Sequence, residues 1–286
     1  MNEILSKFPK EDFYVVFGTS HSAGWCKDDN QIIMPNEKNW TKQFEKLSGV
    51  PVLNLAVGGC TAYEMQNMVI DFLYYYKHQP NKCIGAFIEA RQSEFFVWID
   101  KKDDINFNKV NLVPDILSSR DYTDSSKHTD FLHSVADKEN AIHYNKQGDL
   151  KDWLNGFIEH QLGGMYNYYD SLYVLYKMTQ MLNTYDIKNY SFYWASSDYN
   201  DNPDSDYNTD SAQKLVEISE QMDINFIKFD PESEDNFFHN NSAIKAVQQI
   251  KGNTWIENNT CGCYHQNEHF HKELAQIINK VIYNDG

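Results

Sequence analysis

The chain reads as an α/β protein, a three-layer sandwich in which a five-stranded parallel sheet is covered by helices on both faces. Three observations predict this. Short runs that are apolar throughout recur along it, Phe13-Tyr14-Val15-Val16-Phe17 being the clearest, amphipathic stretches with helical spacing separate them, and glycines close them. Runs without polar alternation suit strands buried on both faces of a parallel sheet. Parallel neighbours in turn need crossover connections, which are usually helices.

The elements follow in order. Phe13–Phe17 is the first strand, stopped by Gly18. Asn39 to Leu47 carries Trp40, Phe44 and Leu47 at helical spacing, with Gly49 and Pro51 as terminators. Val52 to Ala56 is the second strand, closed by Gly58-Gly59. Thr61 and Glu64 form a capping box for a helix running to Lys77, and Cys83 to Ala90 is the third strand. After an interruption come a long helix from Tyr166 to Tyr185, a fourth strand from Tyr190 to Ala195 and a polar loop from Ser196 to Asp210. A helix from Ser211 to Met222, a fifth strand from Ile224 to Phe229 and a final helix from Asn267 to Tyr283 complete the alternation.

The interruption, residues 91–164, is polar and broken by Pro114, Gly148, Gly156 and Gly163-Gly164, with a helical piece at Asp149–His160. We read it as a largely helical insertion in one domain that spans 1–286. A segment of that length serves either as a lid or substrate wall, or as an elaboration that only packs.

Composition narrows the function classes. At 286 residues, 41% hydrophobic and 15% aromatic, the chain can bury a large core. A formal net charge of -16 argues against nucleic acid or an anionic membrane as the main partner, since both require clustered Lys and Arg. Met1 to Asp12 has no apolar core of a secretory signal, and no apolar stretch reaches membrane-spanning length. Five scattered cysteines (26, 60, 83, 261 and 263) suit reduced thiols better than a disulfide framework. The expectation is a cytoplasmic protein without a cofactor.

In parallel α/β sheets, ligands bind outside the carboxyl ends of the strands. Three segments lie there. The first strand runs into Gly18-Thr19-Ser20-His21-Ser22, which puts a hydroxyl at the mouth of the sheet and before a helical turn whose dipole favours negative charge. A plain N-cap serine would look the same. The second strand runs into Asn54-Leu55-Ala56-Val57-Gly58-Gly59, where paired glycines let backbone N–H groups approach a ligand, or simply make a tight turn. Near the C-terminus, His265-Gln266-Asn267-Glu268-His269-Phe270-His271 leads into Leu274-Ala275 and the last helix.

Together these segments resemble the conserved blocks of the SGNH (GDSL-like) hydrolases. Gly18-Thr19-Ser20-His21 stands where that family has Gly-Asp-Ser-Leu. Asn54 through Gly59 matches its second block, and His265 through Ala275 its last, His-Pro-Asn-x-x-Gly-His followed by Leu-Ala. The resemblance implies a flavodoxin-like SGNH fold, with Ser20 as nucleophile and His265 as general base. It also implies an oxyanion hole from the N–H groups of Ser20 and Gly59.

Three positions depart from the family pattern. Thr19 replaces the aspartate of the first block. The third block, Gly-x-Asn-Asp, is absent, and the third strand runs out through Glu89-Ala90-Arg91-Gln92-Ser93-Glu94. Aligning Ala90 with the glycine puts Gln92 in place of the oxyanion asparagine, with Arg91 the donor if the register slips by one. The acid expected before the histidine is also missing, because Gly262 and Cys263 occupy those positions and the nearest upstream acid is Glu257. A Ser-His dyad, a triad with its acid from elsewhere, and a site that has lost catalysis all remain open.

A zinc site built from Cys261, Cys263, His265, His269 and His271 is a lesser rival, since the spacing fits no known structural pattern. The function expected is ester hydrolysis on a small ester or an acylated carbohydrate. The alternative is a non-catalytic domain that binds a glycan or a protein partner.

Overall fold

In a computed structural model of the chain, the described residues are 8–24, 36–57, 60, 62–90, 95–101, 104–112, 166–194, 217–229, 242–260 and 265–284. Its contacts divide the chain into two compact units, Met1–Arg91 with Leu172–Gly286, and Gln92–Ser171.

The first unit is built on a parallel sheet of β1 (Phe13–Phe17), β2 (Val52–Asn54), β3 (Cys83–Ala90) and β6 (Asn189–Tyr193), in the order β2-β1-β3-β6. All five residues of β1 are buried, as an apolar run on a sheet covered from both sides requires. Alternation sorts them between the faces. Phe13 and Phe17 meet Phe72 of helix α2 (Ala62–Tyr76). Tyr14 and Val16 join the opposite cluster with Trp40 and Phe44 of α1 (Trp40–Ser48), and with Phe270, Leu274 and Ile278 of the C-terminal helix.

Helix α1 forms where its spacing and caps predict. Asn39 is the N-cap and accepts from Thr41 N, and Gly49 closes the helix at φ 70°, a left-handed conformation that favours glycine. Leu47, expected on the core face, is exposed, so the buried stripe consists of Trp40, Thr41 and Phe44. From Leu172 onward, helix α3 (Tyr166–Asn183) buries Leu172, Val174, Leu175, Met178 and Leu182.

The sheet has four strands among the described residues rather than five. Ile224 to Phe229 lies beside β6 but pairs through a single parallel bridge, Ser191 to Phe226. Ser191 N donates to Asn225 O and Ile227 N to Ser191 O, both at 2.8 Å, while Phe226 N turns back to Ile224 O. The next rung of a longer ladder would join Asn225 N to Asn189 O, and that carbonyl accepts instead from Asn225 Nδ2 at 2.7 Å. The sequence reading also passed over α4 (Ala243–Lys251) and α5 (Asn253–Asn258). Ser242 caps α4 by accepting from Lys245 N, and Ala243, Ile244 and Val247 form its buried face, so a cap and a helical stripe were there to find. The last helix, α6, spans Glu268–Asn284.

The second unit overlaps the 91–164 stretch. Residues 95–101 and 104–112 in it form an antiparallel pair, β4 (Phe95–Lys101) and β5 (Asp104–Leu112), where a largely helical insertion was expected. The physical reason is composition, since Phe95-Phe96-Val97-Trp98-Ile99 is a run of aromatic and β-branched residues. The helical piece expected at 149–160 and the loop at 196–210 lie outside the described residues.

Candidate active site

The strand order creates the crevice. From central β1 the chain steps to β2 on one side and returns to β3 on the other, so the connections leaving β1 and β3 diverge at their carboxyl ends. Phe17 pairs with Ile88, which places Gly18 and Glu89 next to one another at that point. After Gly18 the chain coils through a turn in which Ala23 N donates to Thr19 O at 2.8 Å, and Ser20 sits in this turn.

At the other end of the chain, α6 and the loop before it bring in His265. Its Nε2 lies 2.8 Å from Ser20 Oγ, a hydrogen bond between residues 245 positions apart. The loop is held on several sides. Gln266 forms an antiparallel bridge with Thr260, and Asn267 N donates to Asn259 O at 2.9 Å. The buried Gln266 side chain accepts from Trp194 Nε1 at 2.7 Å. Trp194 stacks on His21 with ring centroids 4.9 Å apart, and the His21 ring lies 4.7 Å from that of His265.

His271, one turn into α6, is wholly buried. Its Nδ1 accepts from Trp40 N at 3.1 Å, one of the N–H groups that a helix start leaves without an intrahelical partner. Its ring also bonds to the Gln266 backbone. Since Nδ1 is an acceptor, the ring proton sits on Nε2 and is donated to that carbonyl. Burial is the main cause that lowers the His271 pKa to about 3, and the nearby His265 adds to it against the raising effect of the Gln266 bond. The imidazole is therefore a neutral link between the start of α1 and the residue after His265.

The turn carrying Ser20 is tied down through Ser22 and Thr19. Ser22 N donates to Glu89 Oε2 at 3.1 Å, and its carbonyl accepts from Asn39 Nδ2 at 2.6 Å and Asn54 Nδ2 at 2.9 Å. Its hydroxyl accepts from Trp40 Nε1 at 3.2 Å. Thr19 N donates to Glu89 Oε2 at 3.0 Å, and Thr19 Oγ1 donates to Glu89 Oε1. A side chain at position 18 would prevent this approach, because a Cβ there would lie 2.7 Å from Ser22 Cβ and 2.8 Å from Glu89 Oε2. The sequence reading missed Glu89, Asn39 and Trp40 as site residues. A signal was present for Glu89, an acid in an otherwise apolar strand.

Of the residues singled out in the sequence, the structure thus brings Ser20 and His265 together. Gly59, Gln92 and Arg91 lie outside the described residues, as do Cys261 and Cys263. Cys60 N donates to Val57 O at 3.1 Å, and Val57 N donates to Gly18 O at 3.0 Å. That second bond puts the second strand's exit beside the Ser20 turn. Among the described residues, no group of three His, Cys, Asp or Glu side chains could hold a metal ion. His269 is exposed while His271 is buried, so the two face apart. No described helix is long and apolar enough to cross a membrane.

No family model matches the chain, and no curated protein matches it. Among solved structures, the crystal structure of TesA aligns over 96% of this chain and 99% of that chain, with 11% identity and a TM-score of 0.49. A member of the lipolytic protein G-D-S-L family from Veillonella parvula DSM 2008 aligns over 94% of this chain and 96% of its own, with 14% identity and a TM-score of 0.43.

Proposed function

We propose that the chain is a serine ester hydrolase of SGNH type, with Ser20 as nucleophile and His265 as general base. The observation that carries this reading is the 2.8 Å contact between Ser20 Oγ and His265 Nε2 at the carboxyl end of a parallel sheet.

The steps follow from that contact. Ser20 Oγ attacks the ester carbonyl while its proton passes to His265 Nε2. The oxyanion of the tetrahedral intermediate is held by the N–H groups of Ser20 and Gly59 and by the Gln92 side chain. Collapse breaks the bond to the alcohol, which leaves with the proton from His265. Water then gives its proton to His265, attacks the acyl-serine and releases the acid. The acyl group we assign is small, and the alcohol is a carbohydrate hydroxyl. Support for the carbohydrate is the resemblance of the sequence blocks together with the aromatic share of 15%.

Hydrolysis of p-nitrophenyl acetate tests the reaction, and acetylated oligosaccharides test the acceptor. Ser20→Ala and His265→Asn are each expected to lower kcat by roughly 10³-fold or more. Absence of turnover, or turnover unchanged in Ser20→Ala, would overturn the esterase reading in favour of a binding domain.

A further inference from the structure

We infer that Glu89 is a positioning residue for the nucleophile, one that holds the Ser20 turn in its reactive geometry from inside the sheet. The inference deepens the esterase reading and rests on it. Glu89 is 1% exposed and lies on β3 two residues after Phe87, on the same face. An apolar side chain is what that face calls for, and burying an acid without compensation is costly. Here the compensation comes from the residues around the nucleophile. Thr19 N, Thr19 Oγ1 and Ser22 N all donate to the Glu89 carboxylate, so three donors from the two sides of Ser20 converge on one group.

The arrangement has consequences for chemistry. Thr19 N is directed into Glu89, which fixes the Gly18–Thr19 peptide plane, one peptide before the nucleophile's own N–H. Ser22 N is fixed by the same oxygen, so the turn is held on both sides of Ser20 Oγ. Thr19 supplies both a backbone and a side-chain donor, which gives a physical role to a residue that departs from the family's first block. The close approach depends on the absence of a side chain at Gly18. Glu89 touches neither reacting atom in this scheme. It acts by keeping Ser20 Oγ within reach of His265, where a displacement of about 1 Å can cost ~10²-fold in rate.

The test separates geometry from charge. Glu89→Gln keeps the length of the side chain, an acceptor oxygen for the two N–H groups and an amide that can donate to Thr19 Oγ1. Glu89→Asp keeps the charge but falls one methylene short. We expect Glu89→Asp to lower kcat by about 10²-fold with KM within about twofold of wild type, and Glu89→Gln to recover kcat to within about tenfold. Rates of Ser20 labelling by a fluorophosphonate are expected to fall in the same order, and melting curves identify any variant that does not fold.

Wild-type kcat in Glu89→Asp would overturn the inference. So would the reverse order, with Asp active and Gln impaired, since charge rather than reach would then matter. If Glu89→Asp does not fold, Thr19→Val removes one of the three donors. A kcat loss smaller than about threefold in that variant would count against the clamp. A wild-type protein that neither hydrolyses esters nor labels at Ser20 would instead mark failure of the esterase reading, and the inference would fall with it.

Discussion

Ser20 and His265 make the contact on which the proposed chemistry depends, and residues beside each help to hold it in place. Ser20 is fixed through its neighbours Thr19 and Ser22, and His265 through Gln266, whose side chain is bonded to Trp194 and whose backbone is bonded to His271. His271 has a cost that depends on pH. Its folded-state pKa is lowered to about 3 from an ordinary value of 6.5, mainly by burial. Above the ordinary value neither state binds the proton and His271 is silent. As pH falls below it, the unfolded chain takes up a proton that the folded chain refuses, so stability declines toward the folded value by up to ~1.4 kcal/mol per pH unit. Asn at this position keeps an acceptor for Trp40 N but does not titrate. The melting temperature of wild type is therefore expected to fall more steeply than that of His271→Asn between about pH 6.5 and about pH 4. Parallel declines would show that His271 is not buried in this way.

At the scale of elements, α1 serves both the core and the site. Its N-cap Asn39 accepts from Thr41 N at 3.2 Å through Oδ1, and donates to the Ser22 carbonyl at 2.6 Å through Nδ2. The two functions can be separated. Asn39→Ala removes both and is expected to cost about 1–2 kcal/mol in chemical denaturation, as lost caps do. Asn39→Asp keeps a good cap but presents an oxygen to the Ser22 carbonyl where a donor stood. It is expected to lose activity out of proportion to its stability, by about tenfold in kcat. Equal standing of the two variants in both assays would show that the bond to Ser22 has no part in the site. Helix α6 has a similar double service, with Phe270, Leu274 and Ile278 in the core and His271 behind His265.

For the whole molecule, one aromatic cluster joins the sheet to the helices that carry the site. Phe87 of β3 is fully buried and has ring centroids 5.4 Å from Tyr14, 5.6 Å from Trp40, 5.2 Å from Phe44 and 5.5 Å from Tyr190. Phe87→Ala opens a cavity between β3 and α1, and is expected to cost about 3–5 kcal/mol in urea or thermal unfolding. A loss below about 1 kcal/mol would mean that the cluster is not packed as described. Glu89 lies on the same face two residues beyond, so packing of this cluster also sets the place of the carboxylate behind Ser20.

The sequence by itself determined the strand-helix alternation. Uninterrupted apolar runs such as Phe13–Phe17 have only one good environment, a sheet buried on both faces, and caps such as Asn39 and Gly49 mark helix ends through local chemistry alone. It also marked Ser20 and His265, because strand exits and the entry to the last helix are legible from turn residues and the blocks around both resemble those of the SGNH hydrolases. Tertiary structure decided the rest. Whether Ile224 to Phe229 extended the sheet depended on its pairing with β6, where the Asn225 side chain takes the Asn189 carbonyl, since short apolar runs read alike in either case. Glu89 looked like the end of a strand until the fold placed it against Thr19 and Ser22, about 70 residues away along the chain. Local patterns are set by the spacing of neighbours, whereas the partners of a buried polar group come from elsewhere in the chain and exist only once the sheet has formed.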